Sequence, residues 1–77
     1  MKDYNFNPHI KTTICQNIKK FRMQKGIKLI ELSEAVGVSY DHLRRVEAVN
    51  DRDNISLITL YKISKVLDVR IDKFFEE

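Results

Sequence analysis

The residues able to do covalent or metal chemistry are few in this sequence and badly spaced for it. Cys15 is the single cysteine, which leaves no internal disulfide and no Cys-x-x-Cys redox or zinc motif. His9 and His42 fall in different predicted helices, and there is neither a Gly-rich phosphate loop nor a nucleophile in register with a base. Asp51 and Asp53 begin like a calcium loop, but its sixth and twelfth positions hold Ser56 and Lys62 where Gly and Glu are required. An enzyme is therefore not expected, nor is a bound metal or cofactor. What remains is ionic and hydrogen-bonding chemistry, concentrated in Ser39, Tyr40, Asp41, His42, Arg44 and Arg45.

The surrounding charge is uneven. Residues 10–46 hold eight Lys and Arg against three carboxylates, a balance of +5, whereas residues 47–77 carry −2 and the whole chain +3. A basic part of this kind suits an anionic partner, nucleic acid or a membrane surface. No apolar run approaches the ~18 residues needed to span a bilayer, and Met1-Lys2-Asp3 leads into polar residues without a signal-peptide core, so a cytoplasmic protein is expected.

Positioning such side chains requires a fold, and 77 residues with 43% hydrophobic and 32% charged content suffice for one small domain. We divide the chain into an N-terminal arm, residues 1–8, and a single domain, residues 9–77. Ile10, Ile14, Ile18 and Phe21 recur at helical spacing; Asn7 is the expected cap, Pro8 the first helical residue and Gly26 the stop. Leu29, Leu32, Ser33 and Val36 mark a second helix ending at Gly37. Ser39 caps a third, in which Leu43 and Val46 share one side with Glu47 beside them. The turn holds only Gly37 and Val38, which suits helices crossing at a large angle around the small Ser33. After a polar loop, Ser56 caps a fourth helix carrying Leu57, Leu60, Ile63 and Leu67, ended near Asp68, and a short fifth spans Arg70 to about Phe75. Tyr4 and Phe6 are expected to fold back near Ile10; a DNA-contacting arm is the alternative.

In this order of signals the chain resembles the Cro/CI-type, or XRE-like, helix-turn-helix domain of phage repressors and small bacterial transcriptional regulators. The matching positions are Ile14, Ile18, Arg22, Gly26-Ile27, Glu31-Leu32, Val36-Gly37-Val38-Ser39, Leu43, Val46-Glu47, Ser56-Leu57, Leu60, Ile63, Leu67, Val69, Ile71-Asp72 and Phe74-Phe75. They run from about residue 14 to the end of the sequence. The resemblance implies an all-α fold, a five-helix lambda-repressor-like bundle with a central helix-turn-helix at residues 29–48 and a recognition helix at 39–49. It also implies sequence-specific binding of double-stranded DNA, most often in transcriptional repression.

With Leu43 and Val46 inward, a step of about 100° per residue puts Asp41, Arg45 and Ala48 on the other side, with Arg44 at its edge and Tyr40 exposed in the first turn. The resemblance makes Tyr40, Asp41 and Arg45 base readers, and we add Arg44. Arg45 can pair with guanine O6 and N7, and Asp41 can accept from cytosine N4. Lys28, Ser39, His42 and Arg52 are the expected phosphate contacts. Arg22 and Glu47 commonly form an ion pair in the family, a structural role, and Cys15 takes the place of a small packed residue.

Three departures from the family pattern stand out. Lys28, Leu29 and Ile30 replace the usual Ser/Thr, Gln and polar residue, which removes one phosphate contact and offers Leu29 and Ile30 as an apolar patch. Val49 replaces the Gly after the third helix and the following loop is about two residues longer, so that helix is expected to run on toward Asn50. Ile58, Tyr61 and Arg70 replace two polar residues and a Ser cap. Ile58, Tyr61, Ile71 and Phe75 are accordingly expected to form a homodimer interface, whose recognition helices would meet successive major grooves of a palindromic site. The rival function is an antitoxin or adaptor of the same fold acting on a protein partner, a toxin or antirepressor. Single-stranded RNA binding is disfavoured because Tyr40 is the only aromatic on the candidate face.

Overall fold

The computed structural model describes residues 3–49 and 54–77. Four α-helices, α1 (Ile10–Gln24), α2 (Leu29–Val36), α3 (Tyr40–Glu47) and α4 (Leu57–Leu67), are followed by a 3-10 segment, Ile71–Phe75, with no strand among the described residues. The expected fifth helix is thus a 3-10 segment rather than an α-helix. Its five residues leave little room for the i→i−4 bonds of an α-helix, and bonds such as that from the Lys73 N–H to the Arg70 carbonyl (3.0 Å) close the tighter turn.

The core is made where the helical stripes meet. Cys15 and Ile18 of α1, Leu32 and Val36 of α2, Leu43 and Val46 of α3, Leu60, Ile63 and Leu67 of α4, and Phe74 form one buried cluster. Phe21 meets Phe74 edge-on, with ring centroids 5.3 Å apart. Helix α1 packs on α3, α4 and the 3-10 segment, while α2 packs on α3 and α4, so the turn between α2 and α3 stands on a shared base. Two residues depart from their expected stripes: Ile10 and Leu57 both lie exposed, each at the first turn of its helix, although Ile10, 38% exposed, still lines a small pocket with Asn54 and Ile55.

The caps explain the boundaries. Asn7 does not cap α1 directly; its Oδ1 accepts the His9 N–H at 2.8 Å, making a turn over Pro8 and delaying the helix to Ile10. Ser39 Oγ accepts the His42 N–H at 3.1 Å and Ser56 Oγ the Thr59 N–H at 3.0 Å. Helix α3 ends at Glu47 and does not run on as the sequence suggested, because Val49 turns left-handed at φ 57° and its N–H returns to the Val46 carbonyl. That conformation is costly for a β-branched residue, and the half-buried Val49 side chain packed on the core offsets part of the cost. Asn50 itself lies outside the described residues, as do Asp51 and Asp53. Tyr4 and Phe6 also differ from expectation: both are exposed and stack on each other, 6.2 Å between centroids, rather than on the domain near Ile10.

Gly37 controls the α2–α3 turn. Its φ of 77° lets the Val38 N–H reach the Ser33 carbonyl at 3.1 Å, and a Cβ there would meet nothing within 4 Å. Gly37→Ala is therefore a purely backbone perturbation, expected to lower stability by about 1–2 kcal/mol in urea titration followed by circular dichroism. A loss near zero would mean that the turn relaxes to another conformation.

Candidate nucleic-acid interface

Helix α3 is held from below by Leu43 and Val46, which are 0% and 1% exposed, and this fixes which side chains it presents outward. Tyr40, Asp41 and Arg44 are exposed, and His42 and Arg45 are half-buried. Asp41 and Arg44 stand one turn apart with Oδ1 and Nε separated by 3.7 Å, an open, solvated pair worth little to stability. The acidic residue in the first turn and the two arginines in the last both suit the helix dipole.

Ser39 and Lys28, both exposed, precede α3 and α2 respectively. Lys28 has no side-chain acceptor and cannot cap α2 itself; instead Glu31 Oε1 accepts the Lys28 N–H at 3.0 Å. Leu29 is half-buried against the core, so only Ile30 of the expected apolar pair stands exposed. Arg52 lies outside the described residues. Of the eight side chains read as DNA contacts, the structure thus brings Tyr40, Asp41, Arg44 and Arg45 onto one short helix, with Ser39 and His42 at its start and Lys28 at the start of the neighbouring one.

Behind this face lies a bidentate ion pair. Arg22 Nε and Nη2 donate to the two Glu47 carboxylate oxygens at 2.6 and 2.9 Å, and Arg22 Nη1 donates to the Ile27 carbonyl at 2.7 Å. One guanidinium therefore ties together α1, the α1–α2 turn and the end of α3. The hydrogen bonds to Glu47 raise the Arg22 pKa still further, against the opposing effect of burial.

Elsewhere, Ile58, Tyr61 and Phe75 are exposed and Ile71 is half-buried. Tyr61 and Ile71 share a shallow groove of about 330 Å³ with Lys65, Asp68 and Arg70. Cys15 packs in the core, where burial raises its thiol pKa despite the opposing charge of Lys11. One residue that the sequence reading passed over is Asn17, which is buried and donates through Nδ2 to the carbonyls of Phe74 (2.8 Å) and Glu76 (2.7 Å). Its place was marked in the sequence: three after Ile14 and four before Phe21, it is a polar residue on an apolar stripe. Among the described residues no His, Cys, Asp and Glu group forms a metal cluster, and no helix is long and apolar enough to cross a membrane.

Residues 18–74 match the helix-turn-helix family model. The HTH-type transcriptional regulator SinR of Bacillus subtilis (strain 168) is 41% identical over 64 residues, an alignment covering 83% of this chain and 57% of SinR. The chain therefore spans little more than half the length of that curated relative. The crystal structure of SinR, the master regulator for biofilm formation, in complex with DNA is 40% identical with a TM-score of 0.73, covering 82% of this chain and 98% of that one. A complex of SinR with the SinI protein gives 41% identity and a TM-score of 0.73 over 83% of this chain and 61% of that one. These relatives are transcriptional regulators, not enzymes.

Proposed function

Because this chain belongs to the Cro/CI-type helix-turn-helix family, we propose that it binds double-stranded DNA sequence-specifically through α3 and represses transcription from a palindromic operator as a homodimer. The observation that carries this reading is the outward face of α3, with Tyr40, Asp41, Arg44 and Arg45 presented by a helix whose opposite side is sunk in the core. A helix fits the major groove, and residues near its N-terminus reach the base edges. Arg44 and Arg45 supply donors for guanine, Asp41 an acceptor for cytosine, and Tyr40 a ring for a thymine methyl. Lys28, Ser39, His42 and Arg52 then contact the phosphates, which set register rather than sequence. In this reading residues 9–77 act as one unit in the cytoplasm, with residues 1–8 as an arm.

Selection from random duplex DNA tests the proposal. A palindromic motif with half-sites about 34 Å apart is the expected product; an unenriched pool would overturn it. The dimer is a separate matter, supported by the exposed Ile58, Tyr61 and Phe75 beside the half-buried Ile71. Phe75→Glu combined with Tyr61→Ala should convert a dimer to a monomer in sedimentation equilibrium while leaving the helical signal intact. An unchanged mass would place the interface elsewhere.

A second reading rests on the same apolar face. SinR is found in complex with SinI, and exposed Ile58 and Tyr61 offer this chain a surface for a protein partner of the toxin or antirepressor kind. A module acting only through that partner would keep it after Arg45→Ala and would show little salt-dependent affinity for DNA.

A further inference from the structure

We propose that Asn17 is the positioning residue of the C-terminal interface: its amide fixes the backbone that carries Phe75 and so sets how two copies, and their two recognition helices, stand relative to each other. The inference rests on the homodimer reading above and adds a residue from a different part of the chain. Asn17 belongs to α1, yet both of its hydrogen bonds reach the last residues, 57 and 59 positions away.

The geometry divides the work between two neighbouring side chains. Phe74 is fully buried, edge-on to Phe21, and holds the 3-10 segment against the core. Ile71, half-buried and packed on the same core, holds the start of the segment. The Asn17 amide supplies the constraint at its other end, because its Nδ2 takes the carbonyl on either side of Phe75, those of Phe74 and Glu76. The segment's own bonding is long at this point, with the Glu76 N–H reaching the Lys73 carbonyl at 3.4 Å. An amide nitrogen has two hydrogens, and both are used. Phe75, 42% exposed between the two held carbonyls, is thereby presented outward in one orientation.

Removing the amide leaves Phe74 in the core and α3 in place, so the expected loss falls on association rather than on the DNA-reading face. The wild-type chain, Asn17→Ala, Phe75→Ala and the double variant should be compared by sedimentation equilibrium and by titration of duplexes carrying one or two half-sites. Asn17→Ala should weaken self-association about tenfold, lower affinity for the two-site duplex, and leave one-site affinity unchanged. Phe75→Ala should lose as much or more, and the double variant no more than Phe75→Ala alone. If Asn17→Ala does not fold, Asn17→Ser, which can keep at most one donor, should show a smaller loss of the same kind. Self-association unchanged in the folded variant, or one-site and two-site affinities falling in the same proportion, would overturn the role of Asn17. A wild-type chain that stays monomeric and gains nothing from the second half-site would instead overturn the dimer on which that role depends.

Discussion

Glu47→Ala should cost about 3–5 kcal/mol of folding free energy, on the order of the whole stability of a domain this small. The side chains of Arg22 and Glu47 are 14% and 6% exposed, so water screens their pair little. Removing the carboxylate leaves the guanidinium with the Ile27 carbonyl as its remaining partner in this arrangement and an uncompensated charge at the junction of α1 and α3. Urea titration by circular dichroism measures the loss. A double variant, Arg22→Met with Glu47→Leu, removes both charges and fills the volume, and should recover most of the stability. A single-variant loss below about 1 kcal/mol would show instead that the pair behaves like an exposed one. The comparison also matters for function: a DNA-binding defect in either single variant reports lost folding before it reports a lost contact.

Arg45→Ala should have a different signature, with discrimination at one G·C pair reduced by about 1–3 kcal/mol. Its partner in that measurement is Lys28→Ala, expected to weaken binding equally on all sequences and to lower the salt slope by about 1. Competition titrations against duplexes altered at single positions, repeated across salt concentrations, separate the two. Should Arg45→Ala weaken every duplex alike, Arg45 contacts phosphate and the base reading passes to Tyr40, Asp41 or Arg44. The Asp41–Arg44 pair, 3.7 Å apart and open to water, is loose enough for both groups to turn to bases at small cost.

Much of this was legible in the sequence because it depends on residues close in the chain. Helical spacing gave the stripes that end in the core, Ser39 and Ser56 gave two helix starts, and Gly37 gave a turn whose left-handed φ few other residues tolerate. The face of α3 followed from the same local period once Leu43 and Val46 were taken as buried. Where local signals compete, the structure departs from the pattern. Asn7 can cap a helix or bond two residues on, and it does the latter; Leu57 and Ile10 satisfy a helical period at the first turns of their helices, yet both side chains stay exposed.

The sequence by itself therefore determined which segments are helical among the main elements, which side of each is apolar, and which polar residues one short helix presents. Only the tertiary structure decided what those helices meet: that Val49 turns left-handed against the core and ends α3, that Leu29 is drawn inward while Ile30 is left out, and that Asn17 closes on carbonyls 57 and 59 residues away. The physical reason is range. Periodicity and capping are set within one or two turns of chain, whereas burial of a particular side chain and the partner of a buried amide depend on which elements pack together.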